Sequence, residues 1–246
     1  MKRFLSVVVV FSFFPLVGFA GRPLSTDDSG TVDKGSFEVE YGIEYVNGTD
    51  NETNLSLVIT RGLCDNLDLG VEIPYAFIDS KTASDSDGFS DINISTKLNL
   101  IKDKKVMPDV SLSFACKTDS GNDSKNLGTG KSDYSLNGIF SKVFESFAIH
   151  FNTGYSFKED FKDEDNEDVF TYGLALEYAL GEKANLVAEV TGETALARQF
   201  NDNSCSALCG VNYSLKDNVT LDFGLGTEIS KADPDFKVTS GITVGF

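Results

Sequence analysis

The chain has 246 residues, and its 38 Asp and Glu residues outnumber its 21 Lys and Arg residues, so the formal net charge is −17 at pH 7. This acidity argues against nucleic acid and other anionic partners, because such partners bind basic surfaces. The 3.6-residue hydrophobic period of amphipathic helices is hard to find anywhere in the chain, which favours an all-β protein.

The first 20 residues have the three parts of a secretory signal peptide. The chain starts Met-Lys-Arg, an apolar run extends to Phe14, and small residues stand at Gly18 and Ala20. A membrane anchor is the alternative, but the apolar run is shorter than the roughly 20 residues that a spanning helix needs. We therefore predict a signal peptide over residues 1–20, cleaved after Ala20.

Residues 21–35 are polar and rich in turn-forming residues, so they do not fit a strand. We predict a periplasmic N-terminal segment that folds into the periplasmic mouth or the lumen of the following domain and partly plugs it. Arg22 is the cation that we expect to pair with inward carboxylates.

Alternation of apolar and polar residues begins at Phe37 and continues to the last residue, Phe246. Over residues 67–77, for example, every odd position is apolar and every even position is polar or small. A side-chain period of two is that of a β-strand. We predict twelve strands, at about 37–45, 55–63, 67–77, 92–100, 110–116, 132–143, 147–157, 170–180, 185–197, 205–215, 219–229 and 236–246.

These segments are typical of a transmembrane β-barrel. Their number is even, most loops alternate between long and short, and strands of about ten residues can cross the hydrocarbon layer when tilted. The last strand ends on an aromatic residue and would pair with the first, which leaves no free edge. A soluble β-sandwich also alternates, but here Tyr and Phe concentrate near strand ends. We predict an all-β chain whose residues 36–246 form an antiparallel up-and-down barrel in a Gram-negative outer membrane.

Three stretches carry a resemblance to a known family: residues 22–40, residues 62–75, and residues 90–97, where an Asp and a Lys bracket a strand. They resemble the outer-membrane barrels described as "putative MetA-pathway of phenol degradation", often called transporters. Cys64 and the lack of Trp depart from the expected pattern. The resemblance implies uptake of hydrophobic or aromatic compounds. For a barrel in this membrane we expect outer-membrane lipid, lipopolysaccharide and the barrel-assembly machinery as partners.

Strand parity places many carboxylates inside the barrel, where the wet or hydrogen-bonded interior tolerates charge. Those assigned inward are Glu38, Glu40, Glu44, Asp68, Glu72, Asp91, Glu177, Glu189, Glu193, Asp222 and Glu228, opposed by Lys97 and Lys117. The candidate pore-lining residues are Glu38, Glu40, Glu72, Asp91, Lys97, His150, Glu177, Glu189 and Asp222. Such rings of carboxylates select cations. We also expect the turn at residues 181–184 to bring Glu177 and Glu189 face to face.

The sequence gives little support for a catalytic site or a metal site. His150 is the only histidine, and no nucleophile motif accompanies it, so a hydrogen-bonding role in the lumen is favoured over a hydrolase. Residues 85–88 and 163–168 are acidic but lack the spacing of a calcium loop. No catalytic residue, cofactor or metal is predicted, and the pairing of the four cysteines stays open.

Two functions remain open at this point. The first is a channel for passive passage of small solutes, with a preference for cations. The second is a closed structural or adhesive barrel that acts through its extracellular loops, with the inward charges forming a static network.

Overall fold

The computed structural model describes residues 21–102, 106–158, 168–195, 204–230 and 235–246. Thirteen strands are found in these ranges: β1 Phe37–Asn47, β2 Asn51–Cys64, β3 Leu67–Asp79, β4 Ser86–Phe89, β5 Asn93–Ile101, β6 Asp109–Lys117, β7 Asp133–Val143, β8 Phe147–Phe157, β9 Val169–Leu180, β10 Ala184–Ala195, β11 Ser204–Lys216, β12 Val219–Glu228 and β13 Phe236–Gly245. A short 3-10 helix covers Asp123–Lys125. Within the same ranges, none of the helical structure is long and apolar enough to cross a membrane.

Twelve of these strands form a closed antiparallel barrel, as the sequence predicts. Each strand pairs with its neighbours in the chain, apart from the short β4, and β1 pairs with both β2 and β13. The amide of Phe37 donates to the carbonyl of Phe246 at 3.1 Å, and the amide of Phe246 donates back at 2.8 Å. The terminal residue therefore takes part in closing the ring, which leaves neither β1 nor β13 with a free edge.

The barrel wall has an apolar outside and a polar inside. On β1, Phe37, Tyr41, Ile43 and Tyr45 are exposed to the outside, whereas the intervening even positions point inward and Gly42 is buried. A β-sandwich would cover one such face with a second sheet. The exposed apolar band instead fits contact with lipid, so the sandwich alternative is wrong.

The two ends of the barrel differ. One end, here called the turn end, carries connections of two or three residues at 65–66, 144–146, 181–183 and 217–218, together with the seven-residue connection at 102–108. The other, the loop end, carries the three-residue connection at 48–50 and longer ones, including residues 80–92 and 118–132. Apart from 48–50 and 102–108, this alternation of short turns and long loops is the one expected of outer-membrane barrels.

The strand β4 lies inside a stretch predicted as a loop. It pairs with Tyr75–Ile78 in the loop-end half of β3. That half is free because β5 pairs with β3 only from Leu67 to Glu72. An unpaired strand half exposes its backbone groups, and the following loop folds back to satisfy them.

Candidate functional site

The N-terminal segment lies inside the turn-end half of the barrel and follows its wall. We call residues 21–36 the plug segment. At one end, the amide of Gly35 donates to the carbonyl of Gly62 on β2 at 2.8 Å. At the other end, Arg22 reaches β12 and β13. Between these points the segment contacts β3, β5, β6, β7 and β10, so it runs around most of the ring.

The segment contacts a ring of buried polar side chains that we call the polar belt. Each belt residue lies on a different strand, in β3 and β5 to β13. In chain order they are Asp68, Asn99, Ser111, Ser141, His150, Glu177, Glu189, Asn212, Asp222 and Thr239, each at most 6% exposed. Buried polar groups require hydrogen-bond partners, and the backbone of the plug segment supplies many of them.

Glu189 binds the plug segment through its carboxylate. The amide of Ser25 donates to Oε1 at 2.9 Å and to Oε2 at 3.0 Å, and the amide of Thr26 donates to Oε2 at 2.8 Å. Hydrogen bonds to an ionised acceptor are stronger than neutral ones. Asp68 on β3 also binds the plug segment through its carboxylate. The amide of Val32 donates to its two carboxylate oxygens at 3.1 and 3.0 Å.

Ser29 is held from three strands at once. Its carbonyl accepts from Nδ2 of Asn99 at 2.6 Å and from the hydroxyl of Ser111 at 2.6 Å. Its amide donates to Oγ of Ser141 at 2.9 Å. Both backbone groups of this buried residue are thereby satisfied.

Arg22 pairs with an inward carboxylate, as predicted. Its Nε lies 3.5 Å from Oδ2 of Asp222, and its Nη2 donates to Thr239 at 2.5 Å and to the carbonyl of Ser240 at 3.0 Å. Glycines at 42 and 241 make room, since an added methyl group at either would overlap the guanidinium.

Two further contacts fix the middle of the plug segment. Lys97 donates to the carboxylate of Asp27 at 3.1 and 3.2 Å and to the carbonyl of Asp28 at 3.2 Å. Leu24 packs in a small apolar cluster with Ala175, Val187 and Leu208. The plug segment is therefore anchored by charge, hydrogen bonds and apolar burial together.

Ser141, His150 and Glu177 form an array that resembles a hydrolytic triad in composition. Oγ of Ser141 lies 2.9 Å from Nδ1 of His150, and Nε2 of His150 lies 3.8 Å from Oε1 of Glu177. However, the hydroxyl of Ser141 already accepts the amide of Ser29, and all three side chains are buried under the plug segment. A nucleophile needs access to its substrate, so this geometry fits a role in holding Ser29.

Other predicted lining residues lie nearer the loop end. Glu72 accepts from Nδ2 of Asn93 at 3.0 Å. Asp91 pairs with Nζ of Lys117 at 2.9 Å and accepts from the amides of Gly121 and Thr129 at 2.8 and 3.1 Å. Although burial of Asp91 acts to raise its pKa, these hydrogen bonds and the Lys117 charge hold it below its ordinary value.

The expected contact between Glu177 and Glu189 is wrong. The turn spans residues 181–183, so Leu180 pairs with Ala184, and Glu177 stands opposite Val187. Glu189 stands opposite Ala175, which makes the two carboxylates diagonal neighbours, and Glu189 is occupied by the plug segment. The positive φ of 77° at Gly181 lets three residues close this turn.

The structure brings Lys97, Glu189 and Asp222 against the plug segment, and Glu40 contacts its first residues. Sequence reasoning missed the neutral members of the belt, which are Asn99, Ser111, Ser141, Asn212 and Thr239. The alternation of the strands predicts that these side chains point inward. It does not predict which inward side chains contact a segment that is distant in the chain.

The part of the chain that the structure describes contains no group of three or more His, Cys, Asp or Glu side chains placed to hold a metal ion. All four cysteines are free, and Cys64 and Cys209 are exposed.

Comparisons with known proteins agree with the fold. The model of a family described as "Putative MetA-pathway of phenol degradation" matches residues 20–246. The COG4313 outer membrane channel from Pseudomonas putida F1 superposes with a TM-score of 0.73 at 14% identity, covering 89% of this chain and 98% of that one. No curated protein matches the sequence.

Two more solved barrels have different roles. A KdgM porin, in complex with disordered oligogalacturonate, gives a TM-score of 0.62 at 11% identity and covers 85% of this chain and 99% of its own. Outer membrane phospholipase A from Escherichia coli gives 0.51 at 16% identity, covering 90% and 92%. At these identities the solved structures show the fold alone.

Proposed function

Because this chain belongs to the family described as "Putative MetA-pathway of phenol degradation", we propose that it is an outer-membrane channel for passive passage of small solutes. The observation that carries the proposal is the polar, carboxylate-rich lumen of a closed barrel with an apolar outside. The turn end faces the periplasm in this arrangement, as short turns do in such barrels. The plug segment then narrows the periplasmic half of the passage.

The charge of the lumen supports a preference for cations. Near the loop end, Glu44 has its Oε2 3.8 Å from Nζ of Lys237, and Glu72 accepts a hydrogen bond from the neutral amide of Asn93. Both carboxylates are partly accessible. An excess of negative charge between low-dielectric walls raises the local concentration of cations.

Hydrophobic or aromatic compounds are the solute class that we propose for this channel, on the description of its family.

The reversal potential of the refolded, signal-free chain in a planar bilayer under a KCl gradient tests the selectivity. We expect a potential of the sign that cation permeation gives, and a smaller magnitude for Glu72→Gln because the substitution removes a charge that attracts cations. Glu182→Gln is the matched control, since Glu182 is exposed in the turn after β9 and outside the lumen. An anion-selective or unselective native pore would contradict the assignment.

A closed barrel that acts through its outer loops is the second candidate. The observation in its favour is the number of plug contacts, because a segment held by Glu189, Asp222 and three strands at Ser29 need not move. Absence of any conductance in both the native chain and a chain without the plug segment would favour this alternative.

A further inference from the structure

The first residue of the plug segment is seated against a carboxylate of the barrel wall. A methyl group added at Gly21 would lie 3.3 Å from Oε2 of Glu40. The amide of Arg22 donates to the same carboxylate. The carbonyl of Gly21 accepts from the amide of Leu24 at 3.2 Å, which forms a turn that fixes its position.

This corner of the lumen carries more negative than positive charge. Glu38 and Glu40 lie two residues apart on the inward face of β1, and both are half-buried. The ion pairs found among the described residues include neither of them, and the nearby Arg22 is paired with Asp222. Carboxylates withdrawn from water are unfavourable without a cationic partner.

We propose that the missing cation is the chain's own N-terminus. Hydrolysis of the Ala20–Gly21 peptide bond consumes one water molecule and leaves a carboxylate on Ala20 and an α-ammonium group on Gly21. This ammonium group forms an ion pair with Glu40 and interacts with Glu38. An uncleaved precursor has a neutral amide at the same place, so the plug segment is fully seated only after signal-peptide removal.

The inference requires cleavage after Ala20, but it does not depend on transport. Gly21 suits the role, because the absence of a side chain lets its nitrogen approach the carboxylate closely. The contact also joins the two ends of the fold, since β1 is the strand that pairs with β13. A cleavage-dependent contact of this kind would couple export of the chain to closure of its lumen.

Amine labelling of protein purified from outer membranes tests the inference. Intact mass first establishes whether the mature chain starts at Gly21. The protein is then treated at neutral pH with a limiting amount of an acylating reagent, and the N-terminal peptide is quantified by mass spectrometry. An ammonium group held by carboxylates stays protonated and reacts slowly.

We expect labelling of Gly21 to be roughly tenfold faster in Glu40→Gln than in the native chain. Glu52→Gln is the matched control, because Glu52 is a half-buried carboxylate at the loop end of β2, and it should leave the rate unchanged. A chain with one alanine inserted between Ala20 and Gly21 displaces the ammonium group and should label as fast as Glu40→Gln.

Two results would overturn the inference. One is a mature N-terminus at a residue other than Gly21. The other is equal labelling of the native chain, Glu40→Gln and the inserted chain, with all three shown to be folded by their different migration when unboiled and boiled. Because conductance is measured separately, a conducting channel with a freely labelled N-terminus would refute this inference and leave the channel proposal standing.

Discussion

At the scale of single residues, inward carboxylates act as acceptors for backbone amides of the plug segment. Glu189 accepts three such contacts and Asp68 accepts two. Parity alone predicted that both side chains point inward. Their partners could not be predicted, because residues 25–32 have no periodic pattern that specifies a path along the wall.

Glu189→Gln should loosen the plug segment. The substitution removes the charge from hydrogen bonds with Ser25 and Thr26 and leaves a single carbonyl acceptor, at a cost of about 1–2 kcal/mol. This corresponds to about 5- to 30-fold faster hydrogen exchange of these two amides. Glu228→Gln is the control, because Glu228 accepts from Cys205 and Ser206 at the loop end. Unchanged exchange in Glu189→Gln would show that the other anchors suffice.

At the scale of elements, the sequence predicts the twelve barrel strands but neither the short β4 nor the early start of β2. Each barrel strand alternates because one face meets lipid and the other the lumen, so a period of two defines it. The short β4 has no such pattern, since it forms only because the loop-end half of β3 lacks a partner in β5. The strand β2 begins at Asn51, earlier than predicted, because backbone pairing with β1 continues through polar residues.

The loop at residues 118–132 should lose its anchor in acid. The carboxylate of Asp91 binds Lys117 and the amides of Gly121 and Thr129, which holds its pKa below the ordinary value of 3.8. A lowered pKa means that the stabilisation is complete above pH 3.8 and is lost as the pH falls through the lower folded value.

Hydrogen exchange of the Gly121 and Thr129 amides checks this expectation. After correction for intrinsic rates, protection should decrease only below pH 3.8. Asp91→Asn should lower protection at every pH, because the amide cannot carry the charge. Asp119→Asn, at an exposed residue of the same loop, is the control. Protection that does not depend on Asp91 would contradict the anchoring role.

At the scale of the whole molecule, closure of the barrel determines that the inward carboxylates lie in the lumen. Pairing of β1 with β13 completes the ring, and the apolar side chains then face outward while most strands contribute a polar residue to the belt. The plug segment fills the turn-end half of the ring and leaves carboxylates such as Glu72 nearer the loop end. We therefore propose an acidic channel that is narrowed by its own N-terminal segment.

Single-channel conductance of the native chain and of a chain lacking residues 21–33 tests this claim most directly. The deletion removes the anchors at Arg22, Ser25 and Ser29 and keeps the Gly35 contact to β2. Both proteins must first migrate differently when unboiled and boiled, which establishes that the barrels are folded. We predict a small conductance for the native chain and a clearly larger one for the deletion. Equal conductance in the two would contradict the claim that residues 21–36 narrow the passage.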